Sequence, residues 1–85
     1  MTTRTLHVRA EVHAAILGVL PSLTASDINE AVHLKDLGAD SVDRVEIIMD
    51  VLHRLELREP MSTFNGLSNI GALIETLDRL CARTL

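Results

Sequence analysis

The segment from Gly38 to Leu57 constrains this chain more than any other, because its pattern fits only an amphipathic helix with a sharply marked beginning. Gly38 gives the backbone freedom for a turn. Asp40 stands where an N-cap belongs, and Asp43, three residues on, can reach back to it in a shortened capping box. The helix expected from about Ser41 to Leu57 is unusually apolar. At about 100° per residue, Val42, Val45, Ile47, Ile48, Met49, Val51, Leu52 and Leu55 fill an arc of roughly 220°, wider than the stripe of an ordinary surface helix. Asp43, Glu46, Asp50, His53 and Arg54 occupy the rest. Ile47, Ile48, Val51 and Leu55 are assigned inward, while Val42 and Met49 flank Glu46 on the outer edge. Two readings fit that edge: a small apolar and acidic docking strip, or a bundle that wraps the helix on two sides.

So apolar a helix needs neighbours, and the rest of the chain supplies them. Residues 4–20 read as a first helix, with Leu6, Val12, Ile16, Val19 and Leu20 as its stripe and Pro21 ending it. Residues 21–40 form a connection that is long for a small domain, which usually signals a purpose. Ile28, Val32, Leu34 and Leu37 are placed to pin it to the core through one helical turn. Glu59-Pro60 breaks the chain after the central helix, and Met61–Asn65 suits a short third helix, with Phe64 and Met61 plugging the bundle. Ser68 or Asn69 caps a last helix whose Ile70, Leu73, Ile74, Leu77 and Leu80 recur at helical spacing. Every element is helical. An all-α, up-down bundle of three long helices and one short helix follows, of either hand, as a single domain over residues 1–85.

Composition narrows the function. Eighty-five residues leave no room for a second core or a deep catalytic cleft. The net charge is −4, with no basic stretch, which argues against a nucleic-acid partner. The acidity is concentrated: residues 27–59 hold nine acids against four bases, and the remainder three acids against four bases. A basic partner would be steered to the central helix. The single cysteine, Cys81, excludes an internal disulfide and reads as a small core or surface residue rather than a reactive thiol, compatible with a reducing compartment. The histidines at 7, 13, 33 and 53 form no metal-binding or catalytic spacing, so no metal site and no enzyme are expected. The first residues do not resemble a signal peptide, and no apolar run approaches the roughly 20 residues of a membrane span. A cytoplasmic protein without a membrane partner is the expectation.

Ser41 is the residue that departs from a purely structural reading. Its hydroxyl stands at the positive end of a helix, where a phosphate ester is well held. Taken alone, a serine in such a place is more often a cap or first-turn residue. The stretch Asp36-Leu37-Gly38-Ala39-Asp40-Ser41-Val42-Asp43, however, resembles the attachment motif of the acyl carrier proteins, differing only where Val42 replaces leucine. The resemblance extends more weakly over nearly the whole chain. It implies a carrier-protein fold, with a covalent 4′-phosphopantetheine on Ser41 and Asp40 as the flanking cap. A phosphopantetheinyl transferase would attach the arm from coenzyme A, and acyl groups would ride on its thiol as thioesters. The resemblance also favours docking through the central helix, by Val42, Arg44, Val45, Glu46, Met49, Asp50 and His53, and lets the short third helix line a refuge for the acyl chain.

Departures from the fatty-acid type refine this. Val42, Arg44 and His53-Arg54 stand where leucine and acidic residues are usual, and the chain is more similar to the discrete carriers of polyketide pathways. Asp40-Ser41-Val42-Asp43-Arg44 and Leu67-Ser68-Asn69-Ile70-Gly71 resemble the donor carriers of β-branching cassettes. Those hold an acetyl or related unit for a hydroxymethylglutaryl-synthase-like enzyme. The acceptor carriers of that system bear a marker tryptophan, and this chain has no tryptophan. The partners implied are the transferase, then an acyltransferase and a ketosynthase or hydroxymethylglutaryl-synthase-like enzyme, acting on a monomer. A fatty-acid carrier, or one for aryl or aminoacyl loading, is the alternative of the same class. A helical interaction domain in which Ser41 is only a cap is the alternative of another class.

Overall fold

Helix α1, Thr3–Val19, is the element against which the others pack, touching both α2 (Ser41–Arg54) and α3 (Ile70–Thr84). These assignments come from a computed structural model, which describes residues 2–84. The order is α1, two 3-10 turns at Ala25–Asp27 and Leu34–Leu37, α2, a third 3-10 turn at Met61–Phe64, and α3, with no strand among the described residues. The all-helical bundle expected from the sequence is therefore present. The short third helix proves to be a single 3-10 turn, with Phe64 buried and Met61 half-buried.

The stripe of α1 differs from the one expected. Val8, Val12, Ala15 and Ile16 are fully buried, at spacings of 4, 3 and 1, and Val19 and Leu20 are partly buried. Leu6 is 54% exposed. It lies two residues before Val8, about 200° round the helix, so the two cannot share a face. α3 follows its pattern throughout, with Ile70, Leu73, Ile74, Leu77 and Leu80 all in the core.

α2 ends earlier than Leu57, at Arg54. The chain closes in a Schellman arrangement, in which the Leu57 N–H donates to the Leu52 carbonyl at 2.9 Å and the Glu56 N–H to that of His53 at 3.1 Å. Glu56 takes the left-handed conformation, φ 55°, which glycine normally supplies. Of the residues assigned inward, Ile47 and Val51 are fully buried, while Ile48 and Leu55 are only partly so; Leu52 is buried too.

The connection is pinned as expected by Ile28 and Leu34, which are buried, and by Val32 and Leu37, which are partly so. It does a second job. The Glu30 and Val32 carbonyls accept the Gly71 and Ile70 N–H groups at 2.8 and 2.9 Å, satisfying donors that the start of α3 would otherwise leave open. Asn69 supplies a further acceptor, its Oδ1 lying 2.7 Å from the Ala72 nitrogen. The approach is close at Gly71, where a Cβ would stand 3.3 Å from the Glu30 oxygen and the connection would have to give by a few tenths of an ångström. Side chains complete the fastening: Glu30 Oε2 accepts from Arg9 Nε and meets His13 Nε2, both at 2.8 Å. At the other end of α1, Asp78 of α3 receives Arg4 Nε at 2.8 Å and the Thr5 hydroxyl at 3.0 Å.

Candidate functional site

The start of α2 is built from its own sequence. Gly38 turns the chain at φ 98°, closing the Leu34–Leu37 turn. Asp40 Oδ1 accepts the Asp43 N–H at 2.8 Å, and Asp43 Oδ2 accepts the Asp40 N–H at 3.3 Å. That is the capping box read from the sequence, and it has a consequence for Ser41. Because Asp40 caps the helix, the hydroxyl of Ser41, the first helical residue, is released from that duty. Ser41 is exposed, and its hydroxyl receives one long contact, from Arg44 Nη2 at 3.4 Å. Ser41 is therefore a first-turn residue and not the N-cap of α2.

Arg44 is half-buried and turned back along the helix, its Nη1 donating to the Ala39 carbonyl at 3.2 Å. Beside it opens a cavity of about 370 Å³. Ser41, Arg44, Val45 and Ile48 of α2 form one wall, Met61 and Phe64 of the 3-10 turn another, and Ile70 and Leu73 of α3 a third. His33 and Asn69 add polar groups. His33 was not singled out from the sequence, yet it caps the turn before Gly38: its Nδ1 accepts from the Lys35 N–H at 3.1 Å. The spacing His33-x-x-Asp36 carries the capping-box signal, since Asp36 reaches back to the His33 N–H at 3.0 Å.

The outer face of α2 carries Val42, Val45 and Met49, exposed at 65, 43 and 57%, with Glu46 and His53 exposed between and beyond them. Spacings of 3, 1, 3 and 4 from Val42 to His53 put these five on one stripe. Asp50 and Arg44 are not on it as free groups. Asp50 accepts from Arg54 Nε at 3.0 Å, and Arg44 faces Ser41.

Elsewhere the ionisable groups serve the fold. Burial alone would raise the Glu30 carboxyl, but hydrogen bonds and charge from Arg9 and His13 outweigh it and hold it below the usual carboxylate range. Burial, with a smaller push from Asp78, moves the Cys81 thiol up, which disfavours the reactive thiolate. The described residues contain no cluster of three or more histidine, cysteine or carboxylate groups able to hold a metal. None of their helices is long and apolar enough to cross a membrane.

An exposed hydroxyl at the positive end of a helix, with a cation and a part-apolar cavity beside it, suits a serine-linked phosphate. The family model described as "phosphopantetheine attachment site" matches residues 10–77. The chain belongs to that family of carrier proteins. It is 47% identical over 62 residues to the polyketide biosynthesis acyl-carrier-protein AcpK of Bacillus subtilis, covering 73% of this chain and 76% of that protein. It is 39% identical over 46 residues to acyl carrier proteins of Clostridium perfringens strains, covering 54% of this chain and 60% of theirs. No solved structure gives a significant match. Membership makes the chain a carrier rather than a catalyst, with 4′-phosphopantetheine as its covalent cofactor and a transferase and biosynthetic enzymes as its partners. The residues at the start of α2 fit that group. The exposed hydroxyl is available for esterification, the positive helix end favours a phosphate, and Arg44 adds a cation.

Proposed function

We propose that this carrier holds acyl groups for polyketide assembly on an arm attached at Ser41, as one domain over residues 1–85. In its sharper form it is the donor of an acetyl or related unit to a hydroxymethylglutaryl-synthase-like enzyme during β-branching. The observation that carries the site is the division of labour at the start of α2: Asp40 caps the helix and leaves the Ser41 hydroxyl exposed. In loading, the Ser41 oxygen attacks the pyrophosphate of coenzyme A on a separate transferase. A Ser41–phosphate ester forms, the pyrophosphate bond breaks, the hydroxyl proton is released, and adenosine 3′,5′-bisphosphate leaves. The bound arm supplies a terminal thiol that carries acyl groups as thioesters. The polyketide assignment is supported by the name of the Bacillus relative and by the motif around Ser41.

The stripe of Val42, Val45, Glu46, Met49 and His53 is the docking surface of this reading. Its three apolar side chains are uncovered, and Glu46 offers a basic partner a charge to pair with. Arg44 and Asp50 act there indirectly, one through Ser41 and the other through Arg54.

Intact mass after incubation with coenzyme A and a broad-specificity transferase tests the site. The native chain is expected to gain one phosphopantetheine and Ser41→Ala none. A native chain that stays unmodified beside an active transferase control overturns the attachment site. The β-branching form is tested by acetyl transfer from the loaded carrier to a hydroxymethylglutaryl-synthase-like enzyme, against a fatty-acid ketosynthase. Turnover only with the ketosynthase overturns it.

A further inference from the structure

Arg44 is placed unlike its neighbour Arg54. Arg54 is engaged by acids, with Asp50 at 3.0 Å on its own helix and Glu11 of α1 at 3.8 Å. Arg44 makes no ion pair with any described carboxylate, although residues 27–59 carry nine acids against four bases. It is nevertheless half-buried and held. Nη1 is fastened to the Ala39 carbonyl at 3.2 Å, and Nη2 stands 3.4 Å from the Ser41 hydroxyl oxygen. The guanidinium is partly withdrawn from water, and a neutral carbonyl and hydroxyl do not compensate its charge. One arm of the fork is thus anchored. The other points at the atom that the proposed function esterifies.

We propose that Arg44 is the phosphate-binding residue of the loaded carrier, its guanidinium pairing with the phosphodiester on Ser41. The inference rests on Ser41 being the attachment site. A phosphodiester brings a permanent negative charge and two unesterified oxygens to the place where the chain has left a cation unpaired. The planar fork of arginine suits that partner better than the point charge of lysine. Arg44 also lines the cavity beside Ser41, so the pairing fixes the root of the arm at the cavity mouth and makes Arg44 a positioning residue for it.

Phosphorus NMR of the loaded carrier tests this, with loading confirmed by intact mass. The phosphodiester resonance of the folded native carrier is expected to be displaced from that of the same carrier unfolded in urea. Arg44→Gln moves it toward the unfolded position, Arg44→Lys moves it part of the way, and Arg79→Gln, an exposed charge control on α3, leaves it alone. In the native chain the guanidinium nitrogen–proton resonances of Arg44 shift on loading, a readout that decides the matter even if Arg44→Gln fails to fold or load. Native loading with a phosphorus resonance indifferent to Arg44→Gln and unmoved guanidinium resonances overturns the Arg44 proposal alone. A native chain that never gains the arm, or gains it equally as Ser41→Ala, overturns the attachment site and this inference with it.

Discussion

Two arginine-bearing clusters, one on α1 and one on α2, show how the same residue type is used for fold and for function. On α1, Arg9 and His13 converge on a single Glu30 oxygen, both at 2.8 Å, and the same residue's backbone carbonyl caps α3. Every charge there has its partner within the chain. At the start of α2, Arg44 has a carbonyl and a hydroxyl but no carboxylate, and the hydroxyl beside it has no stronger contact. The first cluster is closed and ties the long connection to two helices. The second is open, and its missing anion is what an esterified serine would bring. What sets Arg44 apart from exposed charges such as Arg58 and Arg79 is that it is half-buried and held by neutral groups.

The largest effect that could break this contrast is at Ser41. Ser41→Ala should abolish arm attachment outright in an intact-mass assay, while changing unfolding free energy by no more than about 0.5 kcal/mol, because the cap is Asp40. A marked loss of stability would make Ser41 structural after all. Next, Glu30→Ala should cost about 1 kcal/mol in chemical denaturation by removing the carboxylate that Arg9 and His13 share, and the variant should still accept the arm. If it folds as firmly as the native chain, the closed cluster holds nothing.

The same carboxyl predicts a pH dependence. Its pKa is depressed in the folded chain, so its stabilisation is complete above the unfolded pKa and is lost as pH falls through the folded one. Denaturation measured from neutral pH into the acid range should therefore show a loss that Glu30→Gln reduces; equal acid sensitivity in both would exclude Glu30 as its source. A comparable effect belongs to the other end. Asp40→Ala should lower stability by about 1 kcal/mol through loss of the N-cap, seen as a lower denaturation midpoint. Smallest of all, Arg44→Gln should leave the unloaded chain within about 0.5 kcal/mol of native, since no carboxylate depends on it. A large destabilisation there would place Arg44 with Arg9 among the fold's own fasteners.

Local chemistry was open to reading in the sequence because its partners lie within one helical turn. Asp40 and Asp43, three residues apart, close the capping box that the spacing predicts, and Gly38 makes the turn before it. Ile70 to Leu80 repeat at one period, and one period defines one face. Together these prescribed an all-helical chain with a serine at the mouth of its central helix. What the tertiary structure decided lies across longer separations or between competing local choices. Glu30 meets side chains 17 and 21 residues away, a proximity no local pattern records. Leu6 reads as apolar as Val8, and only the position of the neighbouring helices leaves it outside. Glu56 ends α2 without a glycine because the Leu52 and His53 carbonyls close on the chain behind it. Arg44 has a sequence place compatible with the docking face, yet packing turns it toward Ser41. Sequence spacing sets which atoms can meet along one helix, while burial of several elements against each other sets which of those meetings survive in water.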